Sequence, residues 1–463
     1  MTAGQGTTAE VLAGWASNLR LADVPDRTQR TACAHLLDGV GTALAAARTD
    51  AAAASTRVAA SLGGPPEATV IGRDLRLSAP AAAFANGVLV HALDFDDTHA
   101  GGLVHATAAV LPTAFAVGEQ VEADGAAVLR AAIAGYEVVC RVGLAAPHGF
   151  HARGLHATSV CGVLAASVVA SLLTRSGTDT TVHAMGIAGS SAGGLLEFLS
   201  TGSSTKQLHP GSAALSGILA ARLAAEGASG PASVLEGSRG LYAALSAVPA
   251  DPDLVVDGLG ERWETERIGI KPYPACQLLH VTLDAVAAVL THVPTPEQVQ
   301  KVVAHVHRDS IPTVCEPAAD KATPRTVYDA KFSLPWTVAA LLVDGRVDLD
   351  TFAPESISRP AVAALAAKIH AVASDEGGAA ANASGCVEVH LDDGRVLVGR
   401  VDRSRGTPDA PLSEQDLRAK FLVNTGGAPA GPDLADAVLD LASAPSLTEL
   451  LRLCRRVVEE AAA

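Results

Sequence analysis

No lysine precedes Lys206 in this 463-residue chain, so every permanently charged basic side chain before it is an arginine. Because the chain uses arginine for ordinary surface charge, a lysine within a Gly/Ser/Thr-rich segment is less readily explained as a solvated surface residue. Pro210 opens the next predicted helix, whose N-terminus adds free N–H donors and a positive dipole end. Lys206 and that helix terminus therefore predict a local anion pocket, with a solvated surface lysine as the alternative.

Aromatic residues are also scarce, at 3% of the chain, although 49% of its residues are hydrophobic. Much of the apolar content is alanine, which favours helices because it loses no side-chain entropy on entering one. We therefore expect a core of closely packed helices. The longest candidate apolar run, Cys161–Leu173, is shorter than the ~20 residues needed to span a bilayer. It predicts a buried helix.

The charge balance and the cysteine pattern exclude several classes of protein. A net charge of −15 argues against a nucleic-acid partner, since phosphate binding needs a basic surface. The seven cysteines contain no Cys-x-x-Cys pair, so they indicate neither a metal knuckle nor a disulfide framework. The N-terminus lacks a basic segment followed by an apolar one. We therefore expect a cytoplasmic protein with no signal peptide.

Titratable groups are concentrated in residues 91–107, between two predicted helices, Ala81–Val90 and Ala108–Glu119. The stretch holds aspartates at positions 94, 96 and 97 and histidines at positions 91, 99 and 105. Burying carboxylates and imidazoles at a junction between helices costs free energy unless the groups have hydrogen-bond or charge partners or take part in chemistry. The stretch therefore predicts one wall of an active site.

Three interpretations of its aspartates stay open from the residues alone. They can cap helices around Thr98, or they can ligate Mg²⁺ or Zn²⁺ together with His99. They can instead position a substrate or a histidine, with Asp94 near His105 in space. We favour the third, because no second metal-ligating motif follows in the sequence.

Three histidines and one further lysine suit proton transfer or anion binding. His105 and His156 each follow a glycine-containing loop and lead into a predicted helix, and histidine titrates near neutral pH. His209 stands three residues after Lys206. Lys271 precedes a Pro-Tyr-Pro turn, whose rigidity would fix a cation in place. A structural role for each histidine and a surface position for Lys271 are the alternatives.

The hydrophobic pattern is helical, then mixed α/β, then helical again. Strands are expected at Trp263–Ile270 and Val299–His307, and a hairpin at Cys386–Val401, where alternating apolar residues flank an Asp-Asp-Gly turn. Helices are expected at Asp329–Asp344 and Ala361–Ala371. Three C-terminal helices follow and can pack with either domain.

Several motifs occur together and in a fixed order, and as a set they resemble the MmgE/PrpD family, also called the 2-methylcitrate dehydratase family. The resemblance runs from about residue 8 to residue 455. Its motifs are Asn86-Gly87, His91-Ala92-Leu93-Asp94-Phe95-Asp96-Asp97-Thr98, His105, His156-Ala157-Thr158-Ser159, Thr205-Lys206-Gln207-Leu208-His209-Pro210-Gly211, Lys271-Pro272-Tyr273-Pro274-Ala275-Cys276 and Lys331-Phe332-Ser333-Leu334-Pro335-Trp336.

The resemblance implies a mostly α protein with a large all-helical domain built from both termini, at 1–265 plus 410–463. A smaller α/β lid domain is expected at 266–409. The resemblance also implies a homodimer, no cofactor and no metal, and a small di- or tricarboxylate substrate. The site is expected between the helical domain and the lid.

The resemblance also supplies the candidate site residues. The expected catalytic residues are Asp94, His105, His156, Lys206 and Lys271. The expected substrate-binding residues are Thr98, Ser159, His209, Cys276 and Trp336. Two of these depart from the decarboxylase branch of the family, which has a tyrosine at the position of Trp336 and a histidine at the position of Cys276. They suggest a less polar pocket and a less oxygenated acid.

We therefore expect a cofactor-independent lyase that abstracts a proton next to a carboxylate, with a dehydratase most favoured. An epimerase or isomerase and a decarboxylase are the alternatives within the family. A metal-dependent helical enzyme using the Asp94–Asp97 cluster is the alternative from another class, and a non-catalytic binding protein is a third. In the favoured reaction, Lys206 and Lys271 would stabilise the enolate-like state in a water-poor cleft.

Overall fold

The computed structural model describes residues 6–374, 380 and 383–462. Most of these residues are helical, and the strands form one four-stranded and one two-stranded sheet. The prediction of a mostly α protein with a small sheet region is confirmed.

The helices and strands follow one another along the chain as numbered here. The α-helices of the described residues are α1 Thr8–Asn18, α2 Asp26–Arg48, α3 Ala53–Ser61, α4 Ala79–His91, α5 Thr107–Gln120, α6 Gly125–Leu144, α7 Gly149–Ala152, α8 Ala157–Leu173, α9 Thr178–Gly189, α10 Phe198–Thr201, α11 Leu208–Ala225, α12 Leu241–Leu245, α13 Asp253–Val256, α14 Gln277–Ala287, α15 Ile311–Val314, α16 Ala318–Ala322, α17 Val327–Lys331, α18 Leu334–Asp344, α19 Pro360–Ala366, α20 Glu414–Asn424, α21 Gly431–Leu439 and α22 Thr448–Ala461. The strands are β1 Ala68–Thr69, β2 Arg76–Leu77, β3 Val299–His307, β4 Ile369–Ser374, β5 Gly385–Leu391 and β6 Val396–Val401.

The chain divides into two compact units. The first contains the described residues up to Leu199, then Ser204–Ile270 and the described residues from Ser413 onward. The second contains Ser200–Ser203 and the described residues of Lys271–Leu412.

The first unit is a bundle of helices with small side chains. Every residue of α8 is buried, as expected for Cys161–Leu173, and α8 packs against α5, α6 and α11. α8 contains no charged residue and so has no face to turn toward water, which places it at the centre of the unit. Among the described residues, no helix is both long and apolar enough to cross a membrane.

The second unit is built on the four-stranded sheet, in the order β4-β3-β5-β6. β3 runs parallel to β4 and antiparallel to β5, and β5 and β6 form the predicted hairpin. Val302, Val387 and Val389 are fully buried in the hydrophobic core that the sheet shares with α14 and α18. The predictions of a strand at Val299–His307 and a hairpin at Cys386–Val401 are confirmed.

The predicted strand at Trp263–Ile270 is wrong. Glu264–Arg267 forms a 3₁₀ turn instead, because the buried Glu137 carboxylate accepts the backbone N–H groups of Glu264 and Thr265. Only Gly269 makes a strand-like pairing, with Thr98. A side chain from α6 thus satisfies the backbone groups that a sheet partner would otherwise satisfy.

Two predicted helices differ from the structure in extent. Asp329–Asp344 is broken at Phe332 and Ser333, where the Ser333 side chain caps α18 by accepting the N–H of Trp336. The segment 361–371 leaves its helix after Ala366 and continues as β4, since its last residues pair with β3.

Candidate active site

The segment between α4 and α5 folds back on itself and buries its acidic side chains. Asp94 adopts a left-handed backbone conformation, with φ +53°, which is unusual for a residue other than glycine but tolerated by aspartate. Asp94, Asp96 and Asp97 are all buried, at 4% exposure or less. Such conformations persist where the surrounding structure over-determines them, as at binding sites.

Lys206 is buried against this segment. Its ammonium donates to Asp94 Oδ1 at 2.5 Å, and only 9% of the residue is exposed. Lys206 lies in a 3₁₀ turn, Ser204–Gln207, that runs directly into α11. The alternative of a solvated surface lysine is wrong, because the pair is largely withdrawn from water.

The predicted helix opening at Pro210 begins two residues earlier, since α11 starts at Leu208. His209 therefore lies in the first turn of α11. α4 and α11 approach each other at two glycines: a Cβ added to Gly87 would lie 2.7 Å from Gly211 Cα. This close approach brings the end of α4 and the start of α11 together, and with them the side chains of the site.

Three histidines from different parts of the chain converge beside the buried pair. One ring nitrogen from each of His91, His105 and His156 lies within 4.8 Å of those of the other two. The His91 and His105 ring centroids are 4.7 Å apart, and those of His91 and His156 are 5.6 Å apart. His209 extends the cluster, with its Nδ1 3.1 Å from His156 Nδ1.

Hydrogen bonds determine which nitrogen of two rings faces the cluster. His105 Nδ1 lies 2.7 Å from the backbone oxygen of Asp97, so it carries the proton and leaves Nε2 as the acceptor of the neutral ring. His91 Nδ1 lies 2.7 Å from Asp96 Oδ2, which fixes its tautomer in the same way. Nδ1 of both rings is therefore committed to the α4–α5 segment.

His156, His209 and His151 are held neutral near physiological pH. Burial, followed by the positive charges of His91 and Lys206, lowers the pKa of His156 well below its usual value. Burial and the same two charges lower the pKa of His209 to about 4. Burial also lowers the pKa of His151, whose ring centroid is 6.2 Å from that of His156, to about 4.

Asp97 links the histidine cluster to the start of α5. Burial, with further repulsion from the Asp96 and Asp38 carboxylates, raises the pKa of Asp97 to about 8. Its two oxygens bond the N–H and hydroxyl of Thr107 at the start of α5, at 3.1 and 2.5 Å. Near neutral pH this side chain is therefore largely protonated, and it links the segment to α5.

The three aspartates do not converge on a common point. Asp94 contacts Lys206, Asp96 contacts His91, and Asp97 contacts Thr107. The sequence led us to expect the Asp94 carboxylate beside His105. In the structure Asp94 bonds Lys206, and it is Asp96 whose Oδ2 lies 3.7 Å from His105 Nδ1. The spacing of the histidine nitrogens is wide enough to admit a cation, but the Lys206 charge disfavours one, and we assign no metal here.

The predicted binding residues of the first unit lie near these groups. Thr98 Oγ1 is 3.3 Å from His105 Nδ1, and the Thr98 backbone pairs with Gly269. Ser159, in the first turn of α8, and His209 are both buried. His99 turns away from the cluster, bonding Glu264 and the N–H of Gly102.

The remaining predicted residues belong to the second unit. Lys271 is 1% exposed, a much deeper burial than a surface lysine would have. Cys276 is the N-cap residue of α14, and its backbone N–H donates to the carbonyl of Lys331. Trp336 is fully buried in the core of this unit, where its ring centroid lies 5.8 Å from that of Phe352.

Sequence reasoning missed two residues that shape the site. His91 was part of the motif but was not given a role, although its position three residues before Asp94 and five before Asp96 was a usable signal. Lys420, on α20, donates to the backbone oxygen of Phe95 at 2.9 Å and pairs with Asp38. No local pattern indicates that contact, because 325 residues separate the partners.

Comparison with known proteins gives the same family along most of the chain. Residues 10–252 match the MmgE/PrpD N-terminal domain, and residues 273–441 match the MmgE/PrpD C-terminal domain. Cis-aconitate decarboxylase of Mus musculus is 29% identical over 426 residues, covering 90% of this chain and 86% of the relative.

Two further relatives carry the same name. Cis-aconitate decarboxylase of Aspergillus terreus is 28% identical over 478 residues, covering 97% of this chain and 96% of the relative. Its Homo sapiens counterpart is 29% identical over 417 residues, covering 88% and 85%. With both of its domains matched, the chain belongs to the MmgE/PrpD family.

Proposed function

We propose that this protein is a lyase that removes CO₂ from a small unsaturated tricarboxylate of the cis-aconitate type. The observation that carries the proposal is the buried Lys206–Asp94 pair beside the cluster of His91, His105 and His156. The names of the relatives support decarboxylation over the dehydration that the sequence favoured.

The chemistry follows from where charge develops. When the bond between carbon and the departing carboxylate breaks, its electron pair remains on carbon and spreads into a conjugated carboxylate. A buried ammonium stabilises that charge more strongly than a solvated one, because the local dielectric is low. Lys206 supplies this cation, and the partner carboxylate of Asp94 holds it in place before substrate arrives.

The carbon then needs a proton, and a histidine is the suitable donor near neutral pH. His105 is the most accessible of the three clustered rings, with 12% of its side chain exposed. Its Nδ1 is held by Asp97, so Nε2 is the nitrogen that exchanges a proton with the substrate. Lys271 is proposed as a second cation for a spectator carboxylate, on the basis of the family motif.

A hydro-lyase is the second candidate. Trp336 and Cys276 replace the tyrosine and histidine expected in the decarboxylase branch, which favours a different substrate. The same cation and proton donor would then act on a hydroxy acid, with the proton delivered to the leaving hydroxyl. An epimerase would return the proton to the opposite face of the carbon.

One experiment separates these reactions. The purified protein is incubated in D₂O with a panel of di- and tricarboxylates and followed by NMR and mass spectrometry. A decarboxylase releases CO₂ and yields a product with one deuterium on carbon, whereas a hydro-lyase loses water. Incorporation of deuterium into the substrate without loss of CO₂ or water would indicate an epimerase. Failure to convert any member of the panel, with Lys206→Met indistinguishable from wild type, would contradict the proposal.

The metal-dependent alternative has its own test. Exhaustive chelation, followed by assay in metal-free buffer, is expected to leave turnover unchanged. The homodimer stays a prediction, and light scattering of the purified chain tests it.

A further inference from the structure

His91 holds a buried nitrogen that the proposed reaction has not yet used. Its side chain is fully buried, and its Nε2 lacks a hydrogen-bond partner among the described residues. Leaving such a nitrogen unsatisfied carries the desolvation penalty of the group. Buried polar atoms of this kind are uncommon and call for a functional or structural reason.

Asp96 determines what this nitrogen can do. The carboxylate lies 2.7 Å from His91 Nδ1, and its side chain is fully buried as well. In the neutral ring, Nδ1–H donates to Asp96 and Nε2 carries a lone pair directed away from it. In the protonated ring, the charge-assisted bond to Asp96 stabilises the imidazolium. His91 lies closer to this carboxylate than His105 does, since Nδ1 of His105 is 3.7 Å from the same Asp96 oxygen.

The surrounding charges concentrate one proton at this position. Four titratable groups surround His91, which ends α4. They are Asp96 and His105 from the α4–α5 segment, His156 at the N-cap of α8, and His209 in α11. The positive charge of His91 itself contributes to lowering the pKa of His156 and of His209. The Lys206 ammonium acts in the same direction, while Asp94 neutralises part of its charge. A proton entering the cluster therefore finds its carboxylate partner at His91, and its presence there disfavours a second proton next to it.

The position of His91 is interior to that of His105. No part of the His91 side chain is exposed, whereas 12% of the His105 side chain is. Their ring centroids are 4.7 Å apart, and the cluster nitrogens lie within 4.8 Å. A small ring rotation or one bridging oxygen spans that separation, so a proton can pass between the two rings.

We propose that His91 and Asp96 form a proton-storage dyad that recharges His105 during the proposed reaction. The inference rests on the proposed function. When CO₂ leaves, the His91 imidazolium passes its proton to Nε2 of the neutral His105 ring, and His105 delivers that proton to the carbon. Solvent then returns one proton to the cluster, so each turnover consumes one proton and releases one CO₂. His91 acts through His105 and is a positioning residue.

The kinetic test compares His91→Gln with a matched buried histidine. Glutamine keeps a donor toward Asp96 but cannot carry the proton. We expect kcat to fall by about 10- to 100-fold, KM to change by less than about threefold, and the acid limb of the kcat–pH profile to move or disappear. His99→Gln is the control, because His99 is equally buried and bonded to Glu264 but has both ring nitrogens satisfied. Thermal unfolding of both variants checks that each is folded.

A second measurement needs no turnover. The ¹⁵N shifts of the histidine rings report which nitrogens are protonated, and the signals missing in His91→Gln identify His91. If the dyad holds the proton, the His91 ring shows an imidazolium signal in the wild type that is lost in Asp96→Asn, with His156 neutral in both. A neutral His91 in the wild type, or an unchanged kcat–pH profile in His91→Gln, would overturn the dyad. Absence of turnover in the wild type would instead defeat the proposed function and leave the ring measurement to decide where the proton resides.

Discussion

Lys420 Nζ lies 2.5 Å from Asp38 Oδ1, and both side chains are buried within the helical unit. The same ammonium is 3.8 Å from the centroid of the Phe95 ring and donates to the Phe95 backbone oxygen. A helix near the C-terminus is thereby attached to the acidic segment between α4 and α5. Lys420 thus supports the site without belonging to its histidine cluster.

Replacing Lys420 by methionine should destabilise the protein by about 3 kcal/mol, because breaking a buried ion pair leaves Asp38 uncompensated. Chemical denaturation measures the change in the free energy of unfolding. Arg418→Met, on the same helix, is the control: its ion pairs with Glu414 and Asp436 are half-exposed, so its loss should cost less than about 1 kcal/mol. Equal effects of the two substitutions would contradict a special role for Lys420.

The contact between α4 and α11 gives a second prediction. A Cβ at Gly87 would meet the Gly211 backbone at 2.7 Å, so Gly87→Ala must separate the two helices. We expect a loss of stability of about 1–3 kcal/mol, as for other overpacked cores, and a larger loss of activity because Lys206 moves away from Asp94. Denaturation and steady-state kinetics measure the two effects.

Gly14→Ala is the control for that substitution. Gly14 also lies in a helix, but the nearest atom to its added Cβ is 4.0 Å away. Alanine has the higher helix propensity, so this variant should be equally or more stable than wild type, with unchanged activity. If Gly87→Ala behaved like Gly14→Ala, close helix approach would not be what positions the site.

The sequence predicted the parts of this site that depend on local composition. The absence of earlier lysines singled out Lys206, and the density of titratable groups singled out residues 91–107. Pairings across the chain were not predictable, because a side chain's partner depends on how helices pack. The correct partner of Lys206 is an example: Asp94 was identified, but as a neighbour of His105. The failed strand at Trp263–Ile270 has the same origin, since Glu137 is more than a hundred positions away.

A third prediction concerns the Lys206–Asp94 pair. Lys206→Met removes the cation and leaves a buried carboxylate, so it should lower kcat/KM by at least about 100-fold and also destabilise the fold. Adding Asp94→Asn should recover much of the stability without recovering activity. Asparagine tolerates the left-handed backbone at this position, whereas alanine there would add about 1–2 kcal/mol of strain.

Activity and stability are measured on the two single variants and the double variant. The free energies of unfolding form a double-mutant cycle, whose coupling term reports the pair. Recovery of activity in the double variant would show that the Lys206 cation is dispensable. Additive losses of stability would show that the two side chains are not coupled in solution.

A fourth prediction concerns the pH dependence of stability. Burial is the chief cause that raises the pKa of Asp97 from its ordinary value of 3.8 to about 8. A raised carboxyl pKa means that the folded state binds the proton more tightly than the unfolded state does. This contribution to stability is fully present below about pH 4 and is lost as the pH rises through 8.

Asp97→Asn places a permanently neutral side chain at this position, where its amide can still donate to the Thr107 hydroxyl and its oxygen can accept the Thr107 N–H. The variant should be about as stable as wild type at pH 4 and more stable at pH 8, by on the order of a few kcal/mol. Denaturation at intervals between pH 4 and pH 9 measures both curves. Parallel curves would contradict the raised pKa. A variant less stable at every pH would instead mean that the ionised carboxylate, rather than its protonated form, holds the start of α5.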